Sequence, residues 1–459
     1  MKKYRFILVI VSIFLSVYVK SQDSFVASQN LYINGFIRAG LYGSIDRDDD
    51  KPYISSAFSD FSLQLEKSNN VNYKAYADMR FRYGQEFMDP VNSIMLREAY
   101  VRVNGSKWDI TAGQAIIKWG RANFTNPVSK LNPQNFISRS PDQEDMDMGN
   151  LLISTRWYPV SSVKIEAVAV PFYRSSVLLI DPVKLPDYVN ISQIKSIITD
   201  KSMFSYGLKA DFYTGSAAMS VSWFDGYDPM PGAALTHFDI NMTDPVPVPD
   251  ISITMTPYKI RNLGFDFEAV IGRVGFRGEA AWMFPQESCD ILEYVPCEEI
   301  EWAAGLDWTS GDWRFIIEYT GKAMPHFTPL MAEPLIGTEF DLAQMGELLA
   351  DPDFDMNQYV KQQVGAFNRL YNYQLERYYH SVGFRTEADL LYGKLSPSLF
   401  TLYNFTARDF LIIPEIRYKP SDGLTLSAGG EFYKGRKGSV YDIVNEFMNC
   451  VRLAVRVDF

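Results

Sequence analysis

Cysteine and histidine are scarce in this chain of 459 residues, with three of each. Three cysteines cannot form the disulfide framework of a small secreted scaffold. Cys289 and Cys297 do lie close together in a polar segment, where a bridge can form after export. Cys450 is left alone. His237, His326 and His380 stand apart and no Cys-x-x-Cys occurs, so zinc-ligand spacing is missing and no metal or other cofactor is expected. Beyond the first residues, no window approaches the ~18 consecutive apolar residues of a membrane helix. Positive charge is in deficit: the formal net charge of −11 disfavours nucleic acid as a partner.

What is present begins with an export signal. Lys2, Lys3 and Arg5 precede an apolar run over 6–19, within the ~7–15 residues of a signal core, and small residues follow. The expected leader is 1–21, with the cut before Gln22 and the mature chain 22–459 forming one domain. Aromatic residues make up 15% of the chain, a high share for a soluble protein.

Strict alternation then recurs along the chain. Val71, Tyr73, Ala75, Ala77, Met79, Phe81 and Tyr83 are apolar, while Lys74, Asp78, Arg80 and Arg82 stand among the residues between them. A strand sends successive side chains to opposite faces, so one face is greasy and the other charged. The same pattern returns in 264–271, 300–308, 313–320 and 424–432. These runs of ~9–13 residues suit strands that cross a bilayer at a tilt. Turn-like links near 68–70, 104–107, 159–162, 214–216, 272–273, 310–312 and 420–423 alternate with long segments at 84–93, 120–150, 172–203, 226–257, 285–298 and 321–377. Short and long links in alternation predict an all-β, antiparallel up-and-down transmembrane barrel, with short periplasmic turns and long outer loops. The count is about 18 strands, with about 16 as the alternative.

The last strand has Val451, Leu453, Val455, Val457 and Phe459 on one face. A terminal aromatic on an alternating strand resembles the signal read by the outer-membrane assembly machinery, which implies that machinery and outer-membrane lipid as partners. Trp and Tyr gather near strand ends, as interfacial girdles require. Before the first strand only 22–30 remain, so a plug is expected to come from the loops.

The inward face is expected to carry both charge signs, including Lys74, Asp78, Arg80, Arg82, Glu98 and Arg102 as pore-lining residues. Segment 121–150 is too long for a tight loop. It carries Asn126-Pro127 and Asn132-Pro133, then Asp142, Glu144, Asp145 and Asp147, and follows Gly113 and Gly120. It is expected to fold into the lumen and narrow it, its acids pairing with lumen arginines. Outer loops are apolar: Val177, Leu178, Leu179 and Ile180 run together, and Ile191, Ile194, Ile197 and Ile198 recur at helical spacing. Met356, Val360, Val364, Phe367 and Tyr371 do the same behind Asp355, a candidate N-cap, so short helices are expected over the mouth. Pro245, Pro247 and Pro249 predict an extended loop.

The stretch Arg97-Glu98-Ala99-Tyr100, then Ala112-Gly113-Gln114, Trp119-Gly120 and Asn126-Pro127 resembles a family of Gram-negative outer-membrane barrels of unassigned function. More distantly it resembles the alginate-export porin. The resemblance covers 97–173, and the family's arginine is absent at 112–114. It implies passage of hydrophobic or lipid-like compounds. The reading is therefore a monomeric outer-membrane channel or transporter for a small or hydrophobic solute. The alternatives are a lipid-acting outer-membrane enzyme and a non-transport anchoring or assembly barrel. His380 and Ser381 are adjacent and so fall on opposite faces of a strand, which argues against an enzyme.

Overall fold

The computed structural model describes residues 31–46, 50–68, 72–180, 188–194, 197–241, 248–330 and 354–459. The expected leader, Val71, Pro245 and Pro247 lie outside them. Alternating sequence closes into a single ring. Its first strands are β1 (Leu31–Ile45), β2 (Pro52–Ser68), β3 (Tyr73–Glu86), β4 (Asp89–Asn104) and β5 (Trp108–Ala115). β6 (Asn150–Val160) and β7 (Val163–Val170) follow, and β8 (Val189–Ser192) stands outside the ring. β9 (Ser205–Tyr213) and β10 (Ala217–Tyr227) return to it, whereas β11 (Gly232–Asn241) and β12 (Val248–Thr256) join β8 in a separate small sheet. The ring continues through β13 (Lys259–Ile271), β14 (Val274–Pro285), β15 (Glu299–Ser310) and β16 (Trp313–Ala323). It finishes with β17 (Tyr378–Ala388), β18 (Leu395–Asn404), β19 (Asp409–Ser421), β20 (Leu424–Lys434) and β21 (Cys450–Asp458). Each of the 18 ring strands pairs antiparallel with its neighbours, and β1 closes on β21 with Phe36 opposite Asp458 and Gly43 opposite Val451. Closure pairs the strands along most of the belt, the condition for a sheet to live in lipid.

The period-two pattern decides which side meets lipid. Ile37, Leu41, Ile153, Phe265, Leu306, Ile317, Leu426 and Leu453 all point outward and exposed, while Arg38, Asp60, Asp78, Asp211, Asp266, Glu279, Glu318 and Arg452 point inward and are buried. This is the inverse of a soluble fold and the signature of a membrane barrel. β3 runs as its alternation predicts, with Phe81 and Tyr83 outward and Asp78 and Arg82 buried within.

Two loop expectations need correction. Segment 84–93 is a tight hairpin rather than a long loop: β3 and β4 stay paired up to Glu86 opposite Asp89, and Phe87 and Met88 make the turn at positive φ. Neither turn residue is Gly or Pro, so the local sequence does not announce the hairpin. Ile191 is not helical either. It lies in β8, parallel to β12 and opposite Ile253, and the apolar spacing there serves a small β core with Leu178, Ala233 and Met255. The other expected helix forms as α1 (Met356–Tyr371), where the Asp355 side chain caps Gln358 N–H at 3.2 Å. A further helix, α2 (Val440–Met448), lies between β20 and β21.

Candidate functional site

After Ala115 the chain leaves the wall and does not rejoin it until Asn150. Gly113 sits at φ +129° with the β4 backbone packed against it, leaving no room for a Cβ. Residues 116–149 cross the interior of the ring and bond to strands on both sides of it. At the near end, Arg121 reaches Asp266 at 2.5 Å, Glu268 at 2.6 Å and Asp211 at 3.2 Å. The backbone N–H groups of Arg121 and Ala122 donate to Glu279. Those of Asn123, Phe124 and Thr125 donate to Glu318 at 2.7, 3.1 and 3.3 Å. A buried carboxylate costs several kcal/mol without partners; here the irregular backbone supplies them, and the carboxylates in turn satisfy that backbone. The Phe124 ring packs 4.9 Å from Phe400 of β18.

The far end is bound by arginines. Arg38 holds Asp60 at 2.7 Å and Asp145 at 2.8 Å, and Arg80 meets Asp145 at 2.6 Å. Burial raises the Asp145 carboxyl's pKa, but the two guanidiniums outweigh it and hold the group well below the usual range. Asp142 accepts from Arg38 at 3.4 Å and from Arg417 and Arg456 at 3.0 Å each. Arg139 lies between the Tyr42 and Phe87 rings, with its guanidinium on Phe447 O at 2.8 Å and Cys450 Sγ at 3.1 Å. Between these ends Ile117, Trp119, Val128 and Leu131 form a dry core with Leu152, Val168, Phe224, Ile260 and Met283 of the wall.

The sequence-derived site residues divide by what they touch. Asp142 and Asp145 reach wall arginines. Asn126, Asn132, Glu144 and Asp147 bond within the segment: Asn126 to Trp119 O, Asn132 to both Ile117 N–H and O, and the two acids to Lys118 at 3.3 and 3.1 Å. Arg80 meets the segment through Asp145, whereas Arg82 is engaged by Asp60 and Glu86 and touches the segment only at Arg139 O. Lys74 pairs with Glu66 at 2.8 Å, Asp78 is fully buried beside Arg80 and Arg97, Glu98 accepts from Ile116 N–H, and Arg102 bonds Thr111 rather than any acid of the segment. Phe459 exchanges both backbone bonds with Gly35 at 3.0 Å and stacks on Phe61. Cys289 and Cys297 are joined. Sequence reasoning missed Arg121, Arg139 and Asp60. Arg121 had a signal in its place beside Gly120, at the root of an overlong loop.

Over the mouth, two amides fasten α1. Asn368 bonds Ala233 through both its N–H and O and also Glu293 O, while Gln374 bonds both backbone groups of Cys297 and the Glu299 carboxylate. At the opposite, turn-bearing end, a cavity of about 570 Å³ opens beside β10 and β13 to β15, lined among others by Glu268, Arg277 and Asp307.

No family model matches the chain, and no curated protein does. Its fold is similar to solved structures. These include OccK9 (OpdG) of Pseudomonas aeruginosa, with a TM-score of 0.53 at 7% identity over 95% of this chain and 99% of that one. OccK3 (OpdO) of the same organism gives 0.51 at 10% identity over 94% and 95%, and OccAB3 of Acinetobacter baumannii 0.50 at 11% over 94% and 99%. Identities this low speak for the fold alone. With its closed ring and outward apolar belt, the chain is an integral β-barrel of the outer membrane.

Proposed function

We propose that the protein is an outer-membrane channel that passes small solutes through a lumen narrowed by 116–149. The observation that carries this reading is the binding of that segment to both sides of the wall, through Arg121, Glu279 and Glu318 at one end and Arg38 and Arg80 at the other. A filler that only completed a closed barrel would have no need of an open vestibule, yet a cavity lies at the turn end beside Glu268 and Arg277. Lys74, Asp78, Arg80, Arg82, Glu98 and Arg102 line the inward face on this reading. Both signs are present there, so strong preference for one ion sign is not expected.

The dry core around Trp119 and Leu131 seals the side of β6, β7, β10, β13 and β14, leaving the polar side for passage. Purified protein in planar bilayers tests this directly. Steady ohmic current is the expected result; silence at every voltage overturns the open-channel reading. A hydrophobic solute, the finer expectation, is examined by competition: an apolar solute that passes should depress the ion current.

A further inference from the structure

The ring is closed by pairing, but its height is uneven. β4 pairs with β3 along 89–103, whereas β5 meets it only from Ala99 downward, because the chain turns inward after Ala115. The upper part of β4 therefore has one bare edge. Among the described residues, that edge receives the Gln114 side-chain amide at Leu96 O and Gly149 N–H at Arg97 O, and nothing is seen above them over 89–95. Exposure reports the same gap. Ile94 is 76% exposed, while Phe81, its cross-strand partner at the same depth, is 36% exposed.

Depth makes this matter. Ile94 and Leu96 lie below Asn92, which is opposite Tyr83, an exposed aromatic of the outer end. Residues 93–95 of the bare edge thus fall within the apolar belt, where lipid tails cannot satisfy N–H and C=O groups. Water or a polar head must meet them. Just inside stand Lys118 and Glu144, 53% and 80% exposed and 3.3 Å apart, with Arg97 bonded to the backbone of Glu144 and Asp147 behind them. Outside stand Ile94, Leu96 and Leu151.

We infer that the wall is open sideways beside the bare edge of β4, above the ends of β5 and β6 at Ala115 and Asn150, at the depth of the outer leaflet, and that this opening admits a single-chain amphiphile with a zwitterionic head. The exposed Lys118–Glu144 pair meets the two charges of the head, Leu96 and Leu151 meet the tail, and Ile94 stands at the wetted lip of the opening. The amphiphile's onward path rests on the channel reading; the opening itself does not.

The test places one cysteine at a time, Ile94→Cys or Phe81→Cys, in the full chain in phospholipid vesicles. The wild type, with Cys450 buried and the other two cysteines joined, serves as the blank. A charged, membrane-impermeant methanethiosulfonate should label Ile94→Cys at least about ten-fold faster than Phe81→Cys, since only the former meets water. Attaching a polyethylene-glycol maleimide at Ile94→Cys should then slow passage of fluorescent lysophosphatidylcholine, read by albumin back-extraction, and leave ion conductance unchanged. Equal labelling rates, or full modification with unchanged amphiphile passage, overturn the proposal. Protection of Ile94→Cys together with a dimer in detergent assigns the edge to strand addition by a second copy, and overturns it too. Absent ion current in the wild type would sink the channel reading while the labelling contrast still decides the opening.

Discussion

Arg121 ties the segment to the wall through three carboxylates, those of Asp211, Asp266 and Glu268. Arg121→Ala leaves buried carboxylates with fewer cations, at a cost of about 3–5 kcal/mol for breaking a buried pair. Proteolysis within 116–149 should appear in the variant and not in the parent; equal resistance would show that the guanidinium does not hold the segment. Asp145 is the counterpart at the far end. Its folded pKa is depressed, so its contribution is present above the ordinary carboxylate pKa and is lost only as pH falls through the lower folded value. Acidifying from about pH 7 to pH 5 should therefore leave the anchor intact, with conductance flat over that range. Asp145→Asn should raise conductance at both values. A step in the parent near the middle of the range would contradict the assignment.

Among the elements, β3 shows both faces most plainly. Met79→Arg places a charge on the lipid face and should cost roughly 2–4 kcal/mol if near the midplane, whereas Arg80→Met on the inward face should still insert. Heat-modifiable migration in gels compares the two, and equal tolerance would argue that the faces are misassigned. β21 closes the ring through Phe459 and its two bonds to Gly35. Phe459→Asp should lower the assembled fraction, because the charge falls where the ring stacks on Phe61. Normal outer-membrane levels of that variant would remove any assembly role from the terminal aromatic. These faces were legible in sequence because period two leaves no freedom once one side must be greasy. The hairpin at Phe87 and Met88 was not, because its turn carries no Gly or Pro and is held by the pairing of its strands.

For the molecule as a whole, the wall and the segment inside it are separable. The ring's hydrogen bonds run strand to strand and none of them passes through 124–147. Deleting 124–147 and bridging with glycines should leave a folded barrel, with conductance raised several-fold; unchanged conductance would mean that the segment does not limit passage. Sedimentation in detergent should give a monomer.

Local pattern determined the parts of this protein that depend on local pattern. Alternation fixed the strands and their faces, turn residues fixed the short links, and capping at Asp355 fixed α1, because each is decided by residues a few places apart. What only the tertiary structure decided was which charges meet. Arg121 lies 145 residues from Asp266, and Arg38 lies 102 from Ser140, so no spacing in the chain announces either contact. The sequence showed an acidic cluster but not that Asp142 and Asp145 reach the wall while Glu144 and Asp147 serve Lys118. That division follows from the path of the chain after Ala115. The same path leaves the upper edge of β4 bare, because a strand's partner is set by where its neighbour stops.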